Sequence, residues 1–419
     1  MRFVSMVVLC CVGPLAADNQ APLDPGPAPI VNVNSRYSVE SIEVVGSQGK
    51  SLSRGVQQEI RRLVGTNLDD DALRRLAGKL RLELHARSVE HRILRGQRQD
   101  HVKVVYEITP KPVEFDVSVP RFLYHSRQGW TAEAQAALRI GGNTMMFGVL
   151  SDNDQLPERN SGIKASYERQ RLFSTNTALV VEFLSVRQQW NGASGAAFAA
   201  IPPEEPGSYR TRQNVEPALR IGLAPGLTLS TGASFQWFEP QFSAAQDATS
   251  RAVVNTLRYH RQWEGADEIQ QDLDAGYSLR AATKALGSDL AYTRHSWDLS
   301  YALKSGRQGV LVSFSAGRLT GGAPMFERYV LGNSTSLRGW NRFDIDPLGG
   351  TRMVHNSVEY QYGLLQVFYD TGAVWSRELV RKVRHSAGIG LRKDGFAVAL
   401  AFPLREGRIE PIVLAGMNF

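Results

Sequence analysis

Cysteine is almost absent from this chain of 419 residues: the two present, Cys10 and Cys11, sit side by side near the N-terminus. If that segment is cut away, no disulfide or thiolate metal site can form, and stability must come from packing and backbone ladders. Leu9 precedes Cys10, so the small residue that lipidation needs there is missing too. Long apolar runs are also lacking. Beyond the N-terminus no stretch of about 18 apolar residues occurs, which leaves either a soluble fold or a membrane barrel made of strands. Catalytic signatures are missing as well: there is no Gly-x-Ser-x-Gly elbow, no Walker phosphate loop and no His-Glu-x-x-His pair. The 8 histidines are dispersed, and His85 and His91 flank a helix end, where solvated side chains are expected in place of a metal site. Asp69-Asp70 and Glu204-Glu205 fall at a helix start and in a loop, where the helix dipole and solvation account for them. No enzyme, metal or cofactor is expected. The net charge of +7 is scattered singly through strand-like segments, so nucleic acid is not an expected partner.

What is present divides the chain into four parts. Residues 1–17 carry Arg2, the apolar run Phe3 to Val12, Gly13-Pro14 and the small pair Ala16-Ala17, the layout of an export signal cut near Ala17. Residues 18–36 include Pro22, Pro25, Pro27 and Pro29 and read as an extended spacer. Residues 37–112 read as a small α+β module. Its strands are expected at 39–45, 89–94 and 102–108, and its helices at 54–64 and 69–86. Val56, Ile60 and Leu63 recur at helical spacing in the first helix, and Leu73, Leu76, Leu80 and Leu84 in the second.

From residue 113 to 419 the pattern changes to period two. Leu227, Leu229, Thr231, Ala233, Phe235 and Trp237 alternate with Thr228, Ser230, Gly232, Ser234 and Gln236, and Phe396, Val398, Leu400 and Phe402 alternate with alanines. Successive strand side chains point to opposite faces, so these segments have an apolar face and a small or polar one. About sixteen such segments fit a transmembrane antiparallel β-barrel with lipid outside and water inside, and a mainly β chain overall. Closure is compelled, because an open edge in hydrocarbon leaves backbone groups unpaired. Long connections near 191–208, 240–250 and 320–350 are expected on the cell-exterior side.

The densest information lies between Arg328 and Trp375. Leu337-Arg338-Gly339-Trp340 falls in the long Gly-rich connection, and Phe368-Tyr369-Asp370-Thr371-Gly372 in a following strand. Alternation puts Ser357, Glu359 and Gln361 on one face, and Gln366, Phe368, Asp370 and Gly372 together on the next strand. If that face lines a lumen, an inward-folded loop would carry Arg338 to Glu359 and Asp370, where a guanidinium can fork onto a carboxylate. In a partly wet lumen a pair of moderate strength is expected.

With these motifs the chain resembles the BamA-type superfamily of outer-membrane barrels, the bacterial surface antigen family, which includes the TamA proteins and the two-partner-secretion transporters. The resemblance implies that Arg338-Gly339-Trp340 is a lumen-loop motif, with Trp340 standing where Phe or Tyr is usual. It implies that Arg338 engages Asp370 of the aromatic-x-Asp-x-Gly motif Phe368 to Gly372, with Glu359 as a further acid. Residues 37–112, in the order strand, helix, helix, strand, strand, then resemble a single polypeptide-transport-associated (POTRA) domain in the periplasm. Phe419 resembles the terminal assembly residue of such barrels. The implied activity is insertion or translocation of polypeptides at the outer membrane, with membrane lipid and a polypeptide client as partners and no cofactor. A pore, a binding or scaffold barrel, or a lipid-delivery barrel remain alternatives, because fold alone does not fix function.

Overall fold

The structure is a computed structural model that describes residues 36–417 apart from 47–51, 85, 111–112, 153, 173–175, 190, 201–208, 241–247, 266–268, 378–380, 394 and 406–409. The export segment, the spacer up to residue 35, the acids Glu204-Glu205 and Phe419 therefore lie outside the described residues. The chain divides into two compact units, Met1–Lys111 and Pro112–Phe419.

In the first unit the order is β1 (Ser38–Val45), α1 (Arg54–Leu63), α2 (Asp70–Glu83), β2 (Ala86–Arg95) and β3 (His101–Pro110). Strand β3 is central, parallel to β1 and antiparallel to β2. Ser53 caps α1 by accepting from the Val56 amide, and Asp69 caps α2 by accepting from the Asp71 amide, which satisfies amides that have no partner within the helix. Helix α2 ends at Glu83, earlier than its leucine spacing suggests. The Leu84 amide still donates to Leu80 as the cap, but the chain must turn before Ala86 to begin β2. Leu73, Leu76, Leu80 and Leu84 are all buried, with Val56, Val104 and Tyr106; each large apolar side chain contributes about 1.5–3 kcal/mol. His91 is partly buried, its Nε2 3.1 Å from Asp70 Oδ1.

The second unit is a closed antiparallel barrel of sixteen strands, β4 (Val113–His125) to β19 (Ile412–Met417). No described helix is long and apolar enough to cross a membrane, but strands of about 9–11 residues suffice for a barrel, and most here reach that length. At the end where Val113 begins, turns such as Gly141-Gly142 and Gly306-Arg307 join neighbouring strands, with φ of 58° at Gly141 and 54° at Gly306. Such left-handed turns match the twist of a hairpin. The connections containing 190–208, 241–247 and 322–351 all leave from the opposite end.

The alternation sorts as the sequence predicts. On β18 (Phe396–Leu404), Phe396, Val398 and Leu400 are exposed, while Ala397, Ala399 and Ala401 are buried. On β10 (Leu227–Pro240), Phe235 and Trp237 face out and Ser234 and Gln236 face in. Outward Trp297, Leu299, Val358, Tyr360, Val367 and Tyr369 are also exposed, an arrangement suited to lipid and unsuited to water.

Closure is uneven. β10 and β11 (Ala248–Glu264) pair from Leu227 to Phe238, whereas among the described residues β19 meets β4 only where Leu414–Met417 oppose Phe122–His125. Inside the seam, Leu123, Ile412 and Leu414 pack with Phe368 over the alanines of β18. Outside it, Trp130 packs at a tilt against Phe122 and Tyr124, with ring centroids 4.9 and 5.0 Å apart.

Tyr106 supplies a pH test of the first unit. Its hydroxyl donates to the Leu73 carbonyl at 2.9 Å, and burial, with the nearby acids Glu59 and Asp70, pushes its phenol above the ordinary value of 10.0. A phenol held neutral by the fold stabilises the folded state below about pH 10, and that contribution is lost as pH rises further. Expressed alone, residues 37–112 are expected to be soluble with mixed helix and strand signals, and to unfold on alkaline titration above that value. Tyr106→Phe is expected to lose about 1 kcal/mol at neutral pH and to flatten the alkaline dependence. Equal alkaline slopes in both proteins would assign the transition to another group.

Candidate functional site

The loop 322–351 joins β14 (Gln308–Gly321) to β15 (Arg352–Tyr362) and folds into the barrel. Met325, Phe326, Leu331 and Leu337 on it are buried. Phe326 sits edge-on to Tyr209 and Phe238 of the wall, with centroids 5.3 and 5.7 Å apart, and the Tyr329 hydroxyl donates to the His295 carbonyl at 2.6 Å. Glu327 lies 3.5 Å from Arg280 and 3.6 Å from Arg294. The loop therefore touches the wall on several sides.

At its centre is Arg338, only 4% exposed. Its Nε donates to Asp370 Oδ2 at 3.0 Å and its Nη2 to Asp370 Oδ1 at 2.8 Å, the two-pronged fork that a planar guanidinium makes on a carboxylate. Its Nη1 donates to Glu359 Oε2 at 2.8 Å, its Nη2 also to Ser357 Oγ at 3.0 Å, and its backbone amide to Asp370 Oδ2 at 3.0 Å. Ser357 Oγ in turn donates to Asp370 Oδ1 at 2.7 Å, while Arg392 Nη2 lies 3.6 Å from Glu359 Oε1. The guanidinium carbon is 3.6 Å from the centre of the Phe368 ring, within cation–π range. Two acids thus meet two arginines, so a buried charge is compensated almost completely.

Strand register explains the convergence. Ser357 opposes Asp370 and Glu359 opposes Phe368 where β15 pairs with β16 (Leu365–Trp375), so inward side chains of the two strands sit side by side. Phe368 passes over β17 (Arg384–Lys393) at Gly388, where a Cβ would overlap its ring, and so reaches the apolar seam cluster. At Gly339 a Cβ would come within 2.6 Å of the Phe402 backbone on β18; glycine lets the loop lie against the wall. At Gly372 a Cβ would stand 2.8 Å from the Val354 carbonyl oxygen and 3.1 Å from Leu331 Cδ1, so glycine lets strand and loop pack closely there. Trp340 Nε1 donates to the His385 carbonyl at 2.8 Å. Leu337 takes φ of 47°, a strained conformation for a branched side chain, and it is fully buried.

Arg338, Gly339, Trp340, Glu359, Phe368, Asp370 and Gly372 are thus brought together, and Phe419 lies outside the described residues. The pair is drier than a wet lumen suggests, with Asp370 fully buried. Sequence reasoning missed His355, whose Nε2 faces the Leu337 amide at 3.4 Å, and left Ser357 unassigned. Both share the inward face of Glu359 by simple alternation, so the period-two pattern could have found them. It also missed Arg342, nearly inaccessible and 3.3 Å from Asp152 Oδ1. No signal joins residues 190 positions apart in one sequence.

A model of the Omp85 superfamily domain matches residues 135–395, more than half of the chain. The chain belongs to the Omp85 superfamily. Its barrels reside in the bacterial outer membrane. The structure is similar to BamA from Haemophilus ducreyi lacking POTRA domains 1–3, with a TM-score of 0.58 and 16% identity, over 92% of this chain and 85% of that one. It is also similar to CdiB from Escherichia coli, with a TM-score of 0.50 and 12% identity, over 92% and 77% of the two chains. At such identities the likeness is one of fold. No curated protein sequence matches the chain.

Removing one member of a buried, compensated pair strands the other charge, typically at about 3–5 kcal/mol. Arg338→Ala is expected to lose that much barrel stability and to expose the loop to protease. Asp370→Ala should behave similarly, and Glu359→Ala more mildly because it touches fewer donors. Arg338→Lys should recover only part, since an ammonium keeps the charge and loses the fork. The measurement is detergent-resistant folding by gel mobility with and without boiling, together with limited proteolysis; variants as resistant as the parent would show the cluster to be dispensable.

Proposed function

We propose that this Omp85 barrel inserts or translocates polypeptides at the outer membrane, and that a client strand pairs with β4 along residues 115–119, beside the seam. One observation carries the reading. β5 (Gly129–Ile140) pairs with β4 from Val113 to His125, but among the described residues β19 pairs with it only from Phe122 to His125. Residues 115–119, with no ladder partner from β19 among the described residues, thus offer backbone donors and acceptors on the seam side. Such an edge in a membrane is costly unless another strand adds to it, and strand addition is a common mode of peptide recognition. Val113, Phe115, Val117 and Val119 are exposed on the outer face, while Glu114, Asp116 and Ser118 occupy the other. An incoming strand of matching alternation would continue the apolar band outward.

In this reading residues 1–17 direct export, 18–36 are a spacer, 37–112 are a periplasmic POTRA domain that receives the client, 113–419 form the barrel, and Phe419 serves barrel assembly. Arg338 is then the latch that holds the loop while the wall works. The chemistry needed is strand exchange, which makes no covalent bond and calls for no cofactor. The loop that crosses the lumen argues against a permanently open pore.

The test has two arms. Depletion should remove a small set of barrel or secreted proteins from the outer membrane, and a photocrosslinker at Val117 should capture a polypeptide during synthesis. Deleting residues 37–112 should spare the barrel and abolish both effects. Altered solute entry with unchanged outer-membrane contents and no capture would replace this reading with a pore.

A further inference from the structure

The inward loop touches both banks of the seam in alternation. Its hairpin is closed by the Gly332 amide donating to the Ser336 carbonyl at 3.0 Å. On the first arm the Gly332 carbonyl accepts from Gln128 Nε2 at 2.8 Å, and the Ser334 amide donates to Asp154 Oδ2 at 3.0 Å. Arg121 of β4 ties these together, binding the Asp154 carboxylate and donating to Ser334 Oγ at 2.8 Å. Residues 338–340 then cross to the other bank, to β15 and β16 through Arg338, to β17 through Trp340 and to β18 through Gly339. The chain returns at once. Asn341 Oδ1 accepts from Gln128 Nε2 at 3.3 Å, and Arg342 Nη2 donates to Asp152 Oδ1 at 3.3 Å. Asp152 also faces Arg159 Nε at 3.4 Å and Thr131 Oγ1 at 3.4 Å.

Strand β19 and its short seam with β4 lie between these two banks. The partners on the first bank belong to β4, to the turn after it and to the segment following β6 (Asn143–Ser151). We infer that Arg342, Asp152, Asp154 and Arg121 are positioning residues that staple the β4–β19 seam shut from inside, with Arg338 fixing the same hairpin to the opposite bank. Parting the seam moves one bank away from the other, so the hairpin must release one set of contacts. Both members of the Arg342–Asp152 pair are nearly inaccessible, where breaking a charge pair is most costly. The four residue pairs of backbone among the described residues are therefore not the seam's only restraint. The inference rests on the loop's contacts and stands whether or not a polypeptide client uses the seam.

The experiment uses the full chain with Cys10→Ser and Cys11→Ser. A reporter pair, Tyr124→Cys with Ala415→Cys, sits at partnered positions across the seam. A control pair, Ala233→Cys with Val253→Cys, joins β10 to β11. Under mild oxidation, Arg342→Gln and Asp154→Asn are expected to slow disulfide formation at the seam by about tenfold, equivalent to about 1.4 kcal/mol, while the control pair is unchanged. Arg342→Lys should lie between parent and Arg342→Gln. An unchanged seam rate, or an equal fall at both pairs, overturns the inference, the second because it reports general loosening of the barrel.

Discussion

A guanidinium taken out of water must find acceptors on every side, and in this protein that requirement organises the barrel interior. Arg338 meets Asp370, Glu359 and Ser357 together, and none of the three could be moved without leaving a charge or a donor stranded. Satisfying it fixes the register of β15 against β16, because the three acceptors must rise from adjacent inward positions. It also fixes the path of the loop, which has to bring residue 338 close enough for its own amide to bind Asp370. Leu337 accepts an unfavourable backbone angle as part of that path. Strain of this kind persists only where the surroundings over-determine it, and here the fully buried Leu337 side chain and the Arg338 contacts do so together.

The second constraint is closure of the sheet. A sixteen-stranded wall without an edge satisfies its backbone in lipid, yet among the described residues this wall closes through its shortest strand, β19. What the seam lacks in backbone pairing it gains inside: Leu123 on one bank packs with Leu414, Phe368 and the alanines of β18 on the other. The alanines are essential to that packing in a steric sense, because larger residues on the inner face of β18 would displace Phe368 from beneath Arg338. The electrostatic site and the apolar seam thus share one ring.

Much of this is legible in the sequence because strands have a strict period. Once Glu359 and Asp370 are placed on inward faces by counting in twos, the position of Arg338 in a Gly-rich connection between strands suggests where the charge must go. The same counting places the outward aromatics and the inward alanines of β18. The end of helix α2 is less legible, since Leu84 keeps the helical spacing but already serves as a cap. Other parts leave no periodic trace. Asp152 and Asp154 occupy a brief connection, and nothing in one chain ties them to Arg342 or Ser334; only the fold's return across the lumen does.

The two arginines differ in what they can report about the wall. Arg338 reads a single bank, because its acceptors come from β15 and β16, which are continuously paired and cannot separate without dismantling the sheet. Arg342 reads the other bank, across a boundary where pairing is brief. Only four positions apart in sequence, they translate a displacement between β4 and β18 into tension on one short segment. A loop anchored by Arg338 alone would ride with the β15–β18 bank and be indifferent to the seam. Anchored at both ends, it makes the state of the seam and the position of the loop a single variable, so that whatever moves one must move the other.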